Sequence, residues 1–253
     1  MATTISIHSF RGGTGKSNVT ANLAASIARS GRRVGIVDTD IQSPGIHVLF
    51  GLDDQKMTRS LNDYLWGKCA IGEVAHDVSA AVAGGATMTG ALYLVPSSIK
   101  AGEIARVLRE GYDVERLNSG FHDLIDSLKL DYLFIDTHPG LNEETLLSIT
   151  ISDVLLVLLR PDRQDYQGTA VTVEVARKLE VPKLLLVINK ALSTLDFDAL
   201  RLQAEKAYQA PVAGILPLSE DVARLASGDI FCLREPEHAW SLEIARIVEQ
   251  ITR

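Results

Sequence analysis

The sequence predicts an α/β protein, a doubly wound and mostly parallel sheet with helices on both faces. Three observations lead there. Short apolar runs alternate with longer amphipathic stretches along the whole chain, the pattern of strands joined by helical crossovers. Several runs are continuously apolar, such as Val154-Leu155-Leu156-Val157-Leu158-Leu159, as strands covered on both faces need. A glycine-rich turn, Gly12-Gly13-Thr14-Gly15, then separates the first apolar run from the first helical one.

Taken in order, strands are expected near Thr4–Ser9, Val34–Asp38, Leu92–Val95, Tyr132–Asp136, Val154–Leu159, Lys183–Asn189 and Val212–Leu216. Helices are expected near Lys16–Ser30, Ala101–Arg109, Val114–Leu128, Asp165–Leu179, Asp196–Ala207, Glu220–Ser227 and Leu242–Ile251. Ala80–Gly90, with Gly84, Gly85 and Gly90, reads as a loop. No Ser/Pro/Gly-rich linker or repeat divides the chain, so residues 1–253 are read as a single domain. The last helix reads as core packing more than membrane binding, because only Arg246 and Arg253 are basic and Glu243 and Glu249 offset them.

Composition narrows the function. The chain has 253 residues, 46% hydrophobic and 23% charged, with a net charge of −7, which argues against a wholly basic nucleic-acid surface. Cys69 and Cys232 form no CxxC or Cys/His cluster, so no zinc site or disulfide framework is expected. No apolar run reaches the roughly 18 residues of a membrane span, and no leader pattern precedes the first strand. A cytoplasmic setting is expected.

Ile5-Ser6-Ile7 leads into Arg11-Gly12-Gly13-Thr14-Gly15-Lys16-Ser17, and a helical pattern follows at once. A strand, a glycine loop and a helix in that order make a phosphate cradle. The glycines let backbone N–H groups converge on phosphate oxygens, and the helix N-terminus adds partial positive charge. Gly12, Gly13, Thr14, Gly15, Lys16, Ser17 and Asn18 are therefore candidate nucleotide-binding residues. Lys16 is placed to reach the β- and γ-phosphates and the Ser17 hydroxyl to ligate Mg²⁺. Phe10 stands where the general pattern asks for glycine, and Arg11 adds a second basic residue.

That departure resembles the deviant Walker A motif, Lys-Gly-Gly-x-Gly-Lys-Thr/Ser, of the MinD/ParA family of P-loop ATPases. Further segments resemble the family's in order. Asp38-Thr39-Asp40-Ile41-Gln42 is close to its Asp-x-Asp-x-Gln segment, and Tyr132-Leu133-Phe134-Ile135-Asp136 has the form of a Walker B strand. The resemblance implies that Asp40 orients or activates the attacking water and that Asp38 supports the loop or the Mg²⁺ shell. Asp136 would hold a Mg²⁺-bound water or bond Ser17. Gly140 resembles the residue whose N–H senses the γ-phosphate. Asn189, closing one strand, and Pro217-Leu218, closing another, are the base-binding candidates. Asn189-Lys190 is followed by Ala191-Leu192 and not by the carboxylate that reads guanine, which favours ATP over GTP.

The resemblance also implies an ATP-dependent homodimer in which Arg11 reaches the partner's phosphates; the alternative is that it pairs with a carboxylate of its own subunit. Lys16, Asp40 and Arg11 are thus the candidate catalytic residues. His138 stands where the family has a small residue or proline, and a structural role is favoured over lining the site or reporting pH. Arg160, Asp162 and Gln164 are expected at the interface or in switching. The implied function is an ATP-hydrolysing dimerisation switch, slow alone and stimulated by a partner protein, positioning a chromosome, plasmid, division machinery or other large assembly. A biosynthetic amidoligase- or carboxylase-like enzyme on the same fold is the alternative. Nonspecific DNA is slightly preferred over membrane as the anchoring surface.

Overall fold

The structure is a computed structural model that describes residues 2–53, 55–84 and 88–253. Eight strands form one sheet: β1 (Thr3–His8), β2 (Arg33–Asp38), β3 (His76–Asp77), β4 (Ala91–Val95), β5 (Tyr132–Asp136), β6 (Val154–Leu159), β7 (Lys183–Ala191) and β8 (Val212–Pro217). Their order across the sheet is β3-β4-β2-β5-β1-β6-β7-β8. All neighbours are parallel except the two-residue β3, which runs antiparallel to β4 at the edge. The helices are α1 (Lys16–Arg29), α2 (Leu61–Leu65), α3 (Ser79–Ala83), α4 (Ala101–Glu110), α5 (Val114–Leu128), α6 (Glu143–Thr150), α7 (Arg163–Lys178), α8 (Phe197–Tyr208), α9 (Glu220–Arg224), α10 (Phe231–Arg234) and α11 (Ala239–Thr252).

The continuous apolar strands do what their composition requires. In β6, Val154, Leu156 and Leu158 face a core shared with α1, α10 and α11, while Leu155, Val157 and Leu159 face one shared with α6, α7 and α8. In β5, Phe134 joins the first core, and Leu133 and Ile135 join a third core beneath α2 and α5. Alternate side chains of β5 and β6 are thus buried on opposite faces, which leaves these two strands no interior position for a polar residue.

The expected strands and helices are present, with ends displaced by up to three residues. Three differences have physical causes. The expected loop at Ala80–Gly90 begins instead as α3, an Ala-rich turn of helix that stops at Gly84, whose φ of +58° is a left-handed helix ending; Gly85 lies outside the described residues. The expected helix at Glu220–Ser227 ends at Arg224, because Ala226 and Ser227 adopt positive φ. Strand β7 continues past Asn189 to Ala191 through a register irregularity, with Lys190 at φ +58°. The final helix is core packing: Trp240, Ile244, Ile247 and Ile251 are buried in the α1-side cluster. Among the described residues no helix is long and apolar enough to cross a membrane.

Candidate nucleotide site

Parallel strands end on one edge of the sheet, so the polar residues that terminate them collect there. β1 delivers the turn Ser9–Gly15 into α1. Gly13 and Gly15 take φ of +78° and +95°, which residues with a Cβ rarely adopt. A Cβ on Gly15 would lie 2.6 Å from the Asn189 amide nitrogen. The turn is held on both sides. On its exit limb, Asn189 Nδ2 donates to the Thr14 carbonyl at 2.7 Å and Lys190 Nζ donates to the Gly13 carbonyl at 2.8 Å. On its entry limb, the Phe10 ring fills the notch left by Gly168 of α7.

The register pairs Asp38 of β2 directly with Asp136 of β5. Both carboxyls are buried. Asp38 accepts from the N–H groups of Asp40 at 3.0 Å and Gly45 at 3.4 Å. Asp136 Oδ1 accepts from Thr20 Oγ1 at 3.3 Å, the Ser17 hydroxyl lies against the same carboxyl, and Oδ2 is buried without a partner among the described residues. Burial pushes the Asp136 carboxyl up to about 6, against the pull of Ser17 and Lys16. Burial, with Asp136 and Asp40 beside it, pushes Asp38 well above the usual carboxylate range. The Lys16 ammonium is buried too, bonded to Ser9 Oγ at 3.2 Å, and burial lowers its pKa against three carboxylates that raise it. Two buried carboxyls with an orphan oxygen and one hydroxyl fit a hard divalent cation of the Mg²⁺ type, which takes few protein oxygens and keeps several waters.

Below the turn, His8 is fully buried. Thr137 Oγ1 donates to the Ile7 carbonyl at 2.9 Å, so the 2.8 Å contact between the same oxygen and His8 Nδ1 has the imidazole as donor. Burial, reinforced by Lys16, lowers the His8 pKa to about 3.

Two cavities of about 280 Å³ each meet at Gly15 and Asn18. One is lined by Gly12, Gly13, Lys16, Ser17, Asp40 and His138. The other is lined by Asn189, Pro217, Leu218, Val222 and Trp240. The structure therefore brings together Gly12, Gly13, Gly15, Lys16, Ser17, Asn18 and Asp40 around one chamber, and Asn189, Pro217 and Leu218 around the next. Thr14 lies in the turn itself and Asp38 and Asp136 beneath it. Trp240, Val222 and Lys190 are additions; no spacing in the sequence links them to the loop.

Some expected residues are engaged elsewhere. The Gly140 N–H, at φ +86°, donates to the Ser9 carbonyl at 3.2 Å. Arg11 turns to its own chain, donating to Gln164 and lying 3.9 Å from Asp165. Asp165 is already gripped by both ends of the Arg160 fork at 3.0 Å. Asp162 caps α7 by accepting from the N–H groups of Gln164 and Asp165. His138, expected in a structural role, is instead on the wall of the polar chamber and bonds Asp40.

A family model described as an AAA domain matches residues 2–192. An uncharacterized ATP-binding protein of Methanocaldococcus jannaschii is 27% identical over 90% of this chain and 78% of its own length. The iron–sulfur cluster carrier protein of Haemophilus influenzae is 26% identical over 98% of this chain, which spans 65% of that protein's length. Among solved structures, the septum site-determining protein MinD of Pyrococcus horikoshii, complexed with Mg-ADP, superposes with a TM-score of 0.79 at 21% identity, covering 100% of this chain and 97% of that one. With its deviant cradle, its paired strand-end carboxylates and this fold, the chain belongs to the MinD/ParA family of P-loop ATPases.

Proposed function

We propose that the chain is an ATP-binding and ATP-hydrolysing dimerisation switch of the MinD/ParA type, one P-loop unit over residues 1–253 that positions or partitions a large cargo. The observation that carries it is the pair of chambers meeting at Gly15 and Asn18, one charged and one apolar. A triphosphate suits the first and a purine base the second.

The N–H groups of Gly12, Gly13, Thr14 and Gly15 converge on phosphate oxygens, and Lys16 places its charge on the β- and γ-phosphates. Ser17, Asp38 and Asp136 would hold Mg²⁺, which when bound neutralises charge on the phosphate oxygens. Asp40 accepts a hydrogen bond from the attacking water and aligns it. As the water oxygen bonds the γ-phosphorus, the bond to the bridging oxygen breaks, ADP leaves with the electron pair and the water's hydrogens go to the inorganic phosphate released. Asn189 and the Pro217-Leu218 backbone hold the base. The Gly140 N–H has to leave the Ser9 carbonyl to meet a γ-phosphate, which makes that bond a natural reporter of the triphosphate state.

To act across a dimer Arg11 has to leave an exposed hydrogen bond to Gln164 and an ion pair with Asp165. Its side chain is 42% exposed and its ion pair with Asp165 is long. Surface pairs of this kind contribute about 0–1 kcal/mol, and Asp165 keeps the Arg160 fork when Arg11 leaves. The cluster-carrier reading raised by the Haemophilus influenzae relative has less support, because Cys69 packs with the α5-side core and Cys232 with the α1-side core, on opposite faces of the sheet.

Light scattering with Mg²⁺-ATP and with Mg²⁺-ADP tests the switch. Dimers with ATP alone are expected, persisting longer in Asp40→Ala and lost in Arg11→Ala. A chain that binds ATP yet stays monomeric would end the switch reading. Retention on nonspecific DNA with ATP alone, weakening steeply as salt rises, is the expected mark of a DNA anchor, and no binding at low salt would exclude it.

A further inference from the structure

We propose that His138 is a positioning residue for hydrolysis, fixing the Asp40 carboxylate so that one oxygen is held and the other is free for the reacting water. The proposal rests on the reading that Asp40 orients that water. His138 leaves β5 two residues after Asp136, and Asp40 leaves β2 two residues after Asp38, so the paired strands set the two side chains on neighbouring loops of one chamber. His138 Nδ1 lies 2.7 Å from Asp40 Oδ1, and both side chains are largely sheltered, 21% and 16% exposed. A carboxylate only accepts, so Nδ1 carries the hydrogen. Asp40 Oδ1 also accepts from the Ser43 N–H at 3.1 Å, within its own turn. Among the described residues Asp40 Oδ2 makes no hydrogen bond.

Without the imidazole, that carboxylate is tied by one N–H of its own turn and is free to rotate. With it, a strut from a second strand holds one oxygen and commits the other to the chamber. The strut is itself braced, since Thr145 Oγ1 of α6 donates to the His138 carbonyl at 3.4 Å. Misplacing a catalytic group by about 1 Å can cost on the order of 10²-fold in rate.

The experiment compares ATP turnover and equilibrium ATP affinity in His138→Ala, His138→Asn, His138→Gln and Asp40→Ala. His138→Ala should lower kcat by about 10- to 100-fold and leave KM and ATP affinity nearly unchanged. His138→Asn, whose amide nitrogen stands near Nδ1, should restore most of the rate, and His138→Gln, whose amide stands near Nε2, should not. A His138→Ala protein with unaltered kcat, beside an inactive Asp40→Ala, would overturn the proposal and leave the Asp40 reading standing. A joint loss of affinity and rate that asparagine does not rescue would make His138 only a chamber wall and overturn it too. Full turnover in Asp40→Ala would remove the Asp40 reading and this proposal together.

Discussion

The two chambers that meet at Gly15 are equal in volume and opposite in chemistry. The charged side gathers one buried lysine and three carboxyl groups, Asp38, Asp40 and Asp136, an excess of acid over base held at a cost in desolvation. The apolar side is walled by Pro217, Leu218, Val222, Ala223 and Trp240 and makes few demands on charge. Under the proposed function the first region serves chemistry at one fixed place and the second serves contact. A site of this kind separates rate from affinity: changes on one side should move turnover, and changes on the other should move binding.

Lys16→Ala tests that separation with the largest expected effect. Removing a preorganised charge from a buried site should lower turnover by about 10²–10³-fold, measured as phosphate release at saturating ATP. Leu218→Ala probes the apolar side. Losing roughly 50 Å² of apolar contact with a base corresponds to about 1.2 kcal/mol, or about a sevenfold weaker ATP dissociation constant with kcat unchanged. A kcat loss in that variant equal to its affinity loss would mean that the two chambers are not separable.

A further effect, on stability and not on turnover, lies beneath both chambers. His8 has a folded pKa of about 3 against 6.5 when exposed, so below pH 6.5 the unfolded chain binds the extra proton and stability falls as pH falls. Between pH 7 and pH 5 this group removes about 2 kcal/mol, a drop of about 4–8 °C in melting temperature for a domain of this size. His8→Val should flatten that part of the pH profile, read by thermal melts at the two pH values. An unflattened profile would place the acid sensitivity on other groups.

How much was legible in the sequence follows the same division. The charged side comes from contiguous segments, Gly12–Ser17, Asp38–Asp40 and Asp136–Gly140, each at a strand end and each with its chemistry written in residue type. The apolar side is assembled from the ends of β7 and β8 and from α11, and Trp240 carries no signal beyond hydrophobicity. Helix α6 escaped because eight residues give only two turns of pattern, directly before an apolar strand. The His138–Asp40 bond joins positions 98 residues apart, and only the register of β2 with β5 brings them together. Arg11 was legible as a cation and not in its direction, since the choice between Gln164 on α7 of its own chain and a partner's phosphate depends on a second subunit.

The Phe10 ring in the notch at Gly168 has a consequence for the history of the chain. A side chain at 168 would overlap the ring, and glycine inside a helix costs about 1 kcal/mol relative to alanine. The bulky entry residue and the missing side chain therefore depend on each other. A lineage that placed glycine at position 10 would be released to fill position 168, whereas one that filled 168 first would lose the seating of its cradle. Substitutions at the two positions should appear together across descendants, with position 10 changing first.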